Sequence, residues 1–181
     1  TNYAVWTGCD DNTYSGAGNW AHIETIPDPN DEIIIPTTPQ GGSIFPVSST
    51  TLILDLTGHL VVEPNATITW NNVSGNAITN DGSINIEGDL LINGTTNFGI
   101  RIGTTGRLTA TETSAIDIRN VDEAGFRNDG QCFFNGDLTL NAGLDKNAIN
   151  NTGAFELFDE GTIDISNTGL SGIFNTGTFQ S

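Results

Sequence analysis

Residues 77–82 read AITNDG, and the same pattern returns as GFRNDG at 125–130, AINNTG at 148–153 and GIFNTG at 172–177. Each copy sets an apolar residue, then asparagine, then a closing glycine at fixed distances. Taking the closing glycines as a frame, Gly58, Gly82, Gly106, Gly130, Gly153 and Gly177 are separated by 24, 24, 24, 23 and 24 residues. This is an internal repeat of short period.

Fixed offsets from each glycine carry apolar residues. Four positions before it stand Leu54, Ile78, Ile102, Phe126, Ile149 and Ile173. Two after it stand Leu60, Ile84, Leu108, Cys132, Phe155 and Phe179, and four after it Val62, Ile86, Ala110, Phe134 and Leu157. All 17 positions are apolar in a chain that is 36% apolar. Chance agreement is on the order of 1 in 10⁷. A further alternating pair follows in each unit (Ile68 and Trp70, Leu90 and Ile92, Ile116 and Ile118, Leu138 and Leu140, Ile163 and Ile165), and its offset slides by two residues from unit to unit. Each unit thus holds three short strands of period 2 and three corners, one of them variable.

A unit of this size cannot bury its own apolar face, whereas stacked units can. The expected fold is all-β: a parallel β-solenoid (right-handed β-helix) with three strands per coil and about 4.8 Å of rise per coil. About five coils occupy residues 52–181, preceded over residues 1–51 by a cap and a first irregular coil. Glycine is expected at the corner for positive φ or close backbone approach, and asparagine because it tolerates the left-handed region and bonds its copy in the next coil. Asn80, Asn128, Asn151 and Asn175 are therefore expected to form an interrupted corner ladder, with Thr104 in the odd coil.

Composition agrees. The chain has 181 residues, 22 glycines, no methionine, and a charge of -17 from 22 acidic and five basic residues. Such a surface repels nucleic acid and anionic lipid. All five basic residues (Arg101, Arg107, Arg119, Arg127, Lys146) follow residue 100, so a cation or a basic partner would be drawn to the N-terminal part. No apolar run is long enough to span a bilayer. The lack of an initiator Met reads as a processed or excised product. Cys9 and Cys132 permit one disulfide, but Cys132 falls in the core column between Leu108 and Phe155 and Cys9 in the cap, so Cys132 is expected to be buried and not bonded to Cys9.

Residues before Leu52 are rich in aromatic residues and proline, which reads as a cap over the first coil, with Trp6 and Trp20 as its anchors. The runs VWTGCDDNTYSGAGNW (5–20), IPDPNDEIIIP (26–36) and FPV (45–47), followed by glycine-punctuated coils, resemble the openings of large secreted and cell-surface β-helix proteins of gliding and environmental bacteria, which are adhesin-like. Cys9 departs from that pattern, standing where a small residue such as alanine is usual. The resemblance implies export, display on the bacterial surface or release, and adhesive or scaffolding work within longer polypeptides. It implies no catalytic residues.

No chemistry-bearing constellation emerges from the repeat. The outward positions (His59, Ser83, Arg107, Gln131, Ala154, Thr178, and Val61, Asn85, Thr109, Phe133, Glu156, Gln180) concentrate no carboxylates, as a lyase face would require. Asp117 and Asp164 are separated by a coil bearing Thr139. The threonines keep no single offset, which excludes a regular ice-binding face. His22 and His59 lack metal-ligand spacing. Asp10, Asp11, Asp28 and Asp31 lie in oxygen-rich turns of a kind that can hold Ca²⁺, without the alternating spacing of a dedicated loop; they read first as structural turns.

The sequence therefore predicts a non-enzymatic, extracellular or cell-surface module that presents a rigid acidic shaft and needs no cofactor. Its chain end, NTGTFQS, enters a new coil without closing it, so the partner would be another copy, head to tail in a filament, or more of a longer chain. The alternative is a carbohydrate-binding or polysaccharide-cleaving β-helix that uses Phe133 with Arg107 and Arg127 on surface glycans.

Overall fold

The computed structural model describes residues 2–23, 25–42, 44–141 and 146–181. The chain winds into about six turns of a parallel β-solenoid with coils of about 24 residues, 49% strand and 2% helix. Face A stacks Glu32–Ile35, His59–Val62, Ser83–Ile86, Arg107–Ala110, Gln131–Phe134, Ala154–Leu157 and Thr178–Gln180. Face B stacks Val47–Ser48, Thr67–Val73, Asp89–Thr95, Ala115–Val121, Asp137–Asn141 and Thr162–Ser166. Face C stacks Leu52–Leu54, Ile78–Asn80, Ile100–Ile102, Phe126–Asn128, Ile149–Asn151 and Ile173–Asn175. The first coil already opens at Glu32, and its B strand is separated from its A strand by eleven residues, 36–46, with three prolines. That insertion hides it from the 24-residue spacing.

Alternation along each strand sends one residue inward and the next outward. On face A the inward column Leu60, Ile84, Leu108, Cys132 and Phe155 is buried and in register, and Phe179 at the end is partly covered. Aromatic rings stack along the same direction: Phe134 on Phe155 with centroids 5.1 Å apart, and Phe155 on Phe179 at 5.0 Å. On face B, Ile68, Leu90, Ile116, Leu138 and Ile163 form one column, and Trp70, Ile92, Ile118, Leu140 and Ile165 the next.

Face C corrects the expected columns. Ile78, Phe126, Ile149 and Ile173 align with Leu52 and Ile100, whereas Leu54 and Ile102 share their column with Asn80, Asn128, Asn151 and Asn175. Two corner lengths explain the slip. After Leu54 and Ile102 the corner has four residues and closes on its own hydrogen bond, Gly58 N to Asp55 O at 2.8 Å and Gly106 N to Gly103 O at 2.9 Å. After each asparagine it has two residues. Thr104 lies in one of the longer corners, exposed, and is not a rung.

In the short corners after Asn128 and Asn175 the asparagine side chain replaces the missing turn by accepting from the corner glycine. Asn128 Oδ1 accepts from Gly130 N (3.0 Å), and its Nδ2 donates to Asn151 Oδ1 (2.7 Å) and to Ala154 O (2.8 Å) in the next coil. Asn151 Nδ2 continues to Asn175 Oδ1 (2.7 Å) and Thr178 O (2.9 Å). Asn80, flanked by Leu54 and Ile102, reaches only Arg107 O (3.0 Å) and leaves its buried Oδ1 without a partner. The ladder is thus three consecutive rungs and one isolated residue. A Cβ on Gly82 or Gly130 would run into the carbonyl oxygens of the corner beneath, so close approach, with no positive φ, demands glycine there.

The left-handed asparagines lie elsewhere. Asn72, Asn120 and Asn167 have φ of 52°, 54° and 52°, and Gly94, between Asn72 and Asn120 in the stack, has 87°. This column turns the end of each face-B strand, so that Val73, Thr95 and Val121 point back into the core.

At the N-terminal end, Tyr3–Trp6 adds to face A parallel to Glu32–Ile35, and the two-residue strand Trp20–Ala21 closes that edge antiparallel. Trp6 and Trp20 are buried edge-to-face at 5.2 Å, and their ring N–H groups donate to Ile44 O (2.8 Å) and Tyr14 O (2.9 Å). Tyr14 N donates to Val47 O and Val47 N to Asn12 O, which joins the cap to the face-B edge. A short, antiparallel, side-chain-covered edge is a poor template for further strands. At the other end, Thr162–Ser166, Ile173–Asn175 and Thr178–Gln180 are each paired on one side only, and Ile173 and Phe174 are 38% and 50% exposed.

Both cysteines are free, Cys9 exposed and Cys132 fully buried. Burial pushes the Cys132 thiol well up, away from its reactive thiolate. A disulfide-exchange reagent is therefore expected to titrate Cys9 rapidly in the native protein and Cys132 only after unfolding. Equal native rates for the two thiols would contradict this packing.

Candidate functional site

The outward face of the solenoid is the available surface, because the interior is filled. Register places the outward columns of face A as His59, Ser83, Arg107, Gln131, Ala154, Thr178 and Val61, Asn85, Thr109, Phe133, Glu156, Gln180. His59 Nδ1 lies 2.5 Å from Ser83 Oγ, a rung between neighbouring coils. His22 packs on the Tyr3 ring at 5.9 Å. On face B, Asp117 and Asp164 flank Thr139, and the threonine columns are broken by Asp89, Leu91 and Ala115.

Face B carries a shallow groove lined by Thr69, Asn71, Leu91, Asn93, Asp117 and Arg119. The left-handed column forms its end, where Asn120 Nδ2 donates to Asn93 Oδ1 at 2.7 Å. Arg119 grips Asp117 through two N–H groups, at 2.8 and 2.5 Å. Amides, a carboxylate and a guanidinium at the spacing of successive coils form a hydrogen-bonding surface suited to hydroxyl-rich ligands. Sequence reading missed it because the positive φ at Asn72 and Asn120 is not encoded in the apolar pattern.

Phe133, Arg107 and Arg127 are only partly brought together. The Arg107 guanidinium lies 4.5 Å over the Phe133 ring on face A, but Arg127 is on face C, 5.5 Å over Phe98. The two-residue corner at 129–130 turns Arg127 and Phe133 onto different faces although they are close in sequence, whereas Arg107, one coil below, meets Phe133. On face C, Arg127 Nε donates to Asp129 Oδ2 at 3.0 Å, Thr152 Oγ1 to Asp129 Oδ1 at 2.8 Å, and Arg101 lies 3.9 Å away.

Burial alone would raise the Asp129 carboxyl, but the hydrogen bonds from Thr152 and Arg127 and the charges of Arg127 and Arg101 outweigh it and hold it below the usual range. A depressed folded-state pKa contributes stability that is complete above the unfolded value of about 3.9 and disappears as pH falls through the folded value. The stability difference between wild type and Asp129→Asn is therefore expected to be full at neutral pH and to shrink in acid below about pH 4. A difference that grows on acidification would contradict this.

The acidic turns of the cap are engaged internally. Asp31 is buried, and its two oxygens accept from Asn2 N (2.8 Å) and Asp28 N (2.9 Å). Asp11 Oδ1 accepts from Thr13 N (2.7 Å) and Asn19 Nδ2 (2.9 Å), and Asn19 Oδ1 takes the amides of Asp10 and Asp11. The Thr13 amide, then Asn19, lower the Asp11 pKa. Asp10 with Asp11, and Asp28 with Asp31, thus belong to two separate turns. Among the described residues no group of three or more His, Cys, Asp or Glu side chains converges to hold a metal ion, and no helix is long and apolar enough to cross a membrane.

Three faces of in-register parallel strands around a filled core define a β-solenoid protein. Comparison with protein-family models, with curated proteins and with solved structures returns no match.

Proposed function

We propose that this chain is a structural or adhesive module, exported to the bacterial surface or medium, that presents a rigid acidic shaft and carries out no catalysis. The observation that supports the reading is the uninterrupted core beneath three continuous sheets, closed at the N-terminal edge by the cap and open at the C-terminal one. Parallel ladders in register make such a rod stiff, and the charge of -17 keeps it soluble. The open strands take a further coil, from another copy head to tail or from more of a longer polypeptide. Sedimentation at micromolar concentration and the mass of the native product test this. Association or a larger native chain is expected. A compact, concentration-independent 19.1 kDa monomer with an ordered last coil, or polysaccharide turnover abolished by a single carboxylate substitution, would sink it.

The second reading is a carbohydrate-binding β-helix, favoured by the face-B groove with its Asn71, Asn93, Asp117 and Arg119. A glycan array at millimolar Ca²⁺ separates the two. Binding lost in Arg119→Ala supports the groove, and silence on every glycan removes it.

A further inference from the structure

The corner between faces A and B alternates in length: four residues at 63–66, 111–114 and 158–161, two at 87–88 and 135–136. Long turns project every second coil, and short ones lie recessed between them. The lower recess is occupied by its own polar contacts, with Asn85 Nδ2 donating to Glu87 Oε1 (2.9 Å) and Thr113 Oγ1 to Glu87 O (2.9 Å). The upper recess, over Asn135, is lined instead by Phe133 and Phe158 with Thr109, Thr111 and Glu112. Phe158 is 43% exposed on its rim. A second hollow, continuous through Asn135 and Phe158, adds Glu156, Asp159 and Glu160.

We infer that this recess binds an arginine or lysine side chain presented by a protein partner. Two phenyl rings offer an apolar bed for the aliphatic stem and π faces for the cationic head. The Phe133 ring already takes a guanidinium on one side, that of Arg107. Glu112 lines the recess itself, while Glu156, paired with Phe133 in register, and Asp159 and Glu160 of the upper turn line the adjoining hollow, so four carboxylates stand near the site against the cation of Arg107. A neutral saccharide gains stacking but nothing from those charges, and an anionic one is repelled. The inference deepens the adhesive reading and rests on it, by naming the chemistry of one contact.

The probe is a fluorescein-labelled, end-blocked peptide with three arginines spaced by glycine, followed by anisotropy against the intact chain, with a citrulline version as the uncharged control. Phe158→Ala, through the lost ring face, and Glu112→Gln, through the lost ion pair, are each expected to weaken arginine-peptide binding by roughly fivefold. Asp164→Asn, which removes a charge from face B, is expected to change it by no more than about twofold. The citrulline peptide is expected not to bind. Phe158 sits on an exposed turn, and unchanged circular dichroism will show that its variant is folded. Three outcomes overturn the inference: no binding, equal loss in Asp164→Asn and Phe158→Ala (diffuse attraction to an acidic surface), or displacement of the peptide by a neutral oligosaccharide. None of them touches the shaft reading, which stands or falls by sedimentation and native mass.

Discussion

Replacing Asn128 by leucine is expected to cost about 2–4 kcal/mol of stability, even though Leu54 and Ile102 occupy the same slot in other coils. The apolar residues are tolerated because a four-residue corner follows them and satisfies its own backbone, as at Gly106 N to Gly103 O. Asn128 is followed by two residues, and its side chain alone answers Gly130 N while also donating to Ala154 O and Asn151 Oδ1. Leucine would leave that amide without its side-chain acceptor and remove one donor from each of the two oxygens, and an orphaned buried group costs about 1–3 kcal/mol. Asn80→Leu is the internal control. Asn80 makes one bond to Arg107 O and already has an unpaired buried Oδ1, so its replacement should cost clearly less. Urea titration of the two variants checks this, and equal losses would show that the slot is simply a packing position.

Phe155→Ala is expected to be the more damaging core truncation, at about 3–5 kcal/mol. The ring stacks between Phe134 and Phe179 and meets Phe126 edge-on at 6.0 Å, and it is 1% exposed. Backbone pairing holds its neighbours at fixed strand spacing, so the coils above and below cannot collapse into the space. Because a solenoid is stabilised through nearest-neighbour contacts, the loss falls on the junction between the last coils. Phe179→Ala, at the partly covered end of the same stack, should cost less than half as much. Thermal unfolding with thermolysin digestion distinguishes them, and a Phe179 variant as weak as the Phe155 variant would mean that the aromatic stack is not the source of the stability.

Both experiments turn on how the sequence maps to the fold. The repeat, its period, the three strands per coil and the inward face of each strand were legible in the sequence, because alternation and fixed spacing are local signals that survive without knowledge of neighbours. The face-A column from Leu60 to Phe155 and the burial of Cys132 follow from them directly. The face-C columns were not legible. Glycine-to-glycine spacing near 24 conceals a compensation in which Leu52 to Ile78 is 26 residues, Ile78 to Ile100 is 22 and Ile100 to Phe126 is 26. Only pairing between coils reveals that four-residue corners follow Leu54 and Ile102 while two-residue corners follow the asparagines, which puts Ile102 in the asparagine column and leaves Thr104 on a loop. The corner at 129–130 turns Arg127 and Phe133 onto different faces, and inter-coil register with the left-handed bends at Asn72 and Asn120 creates the groove on face B. The physical reason is that parallel pairing joins residues some 24 positions apart, so a shift of two residues keeps every inward side chain inward and leaves no trace in the apolar pattern. Hydrophobic alternation determined which side of each strand is core; tertiary hydrogen bonding alone decided which residues stand above one another, and therefore what surface the shaft presents.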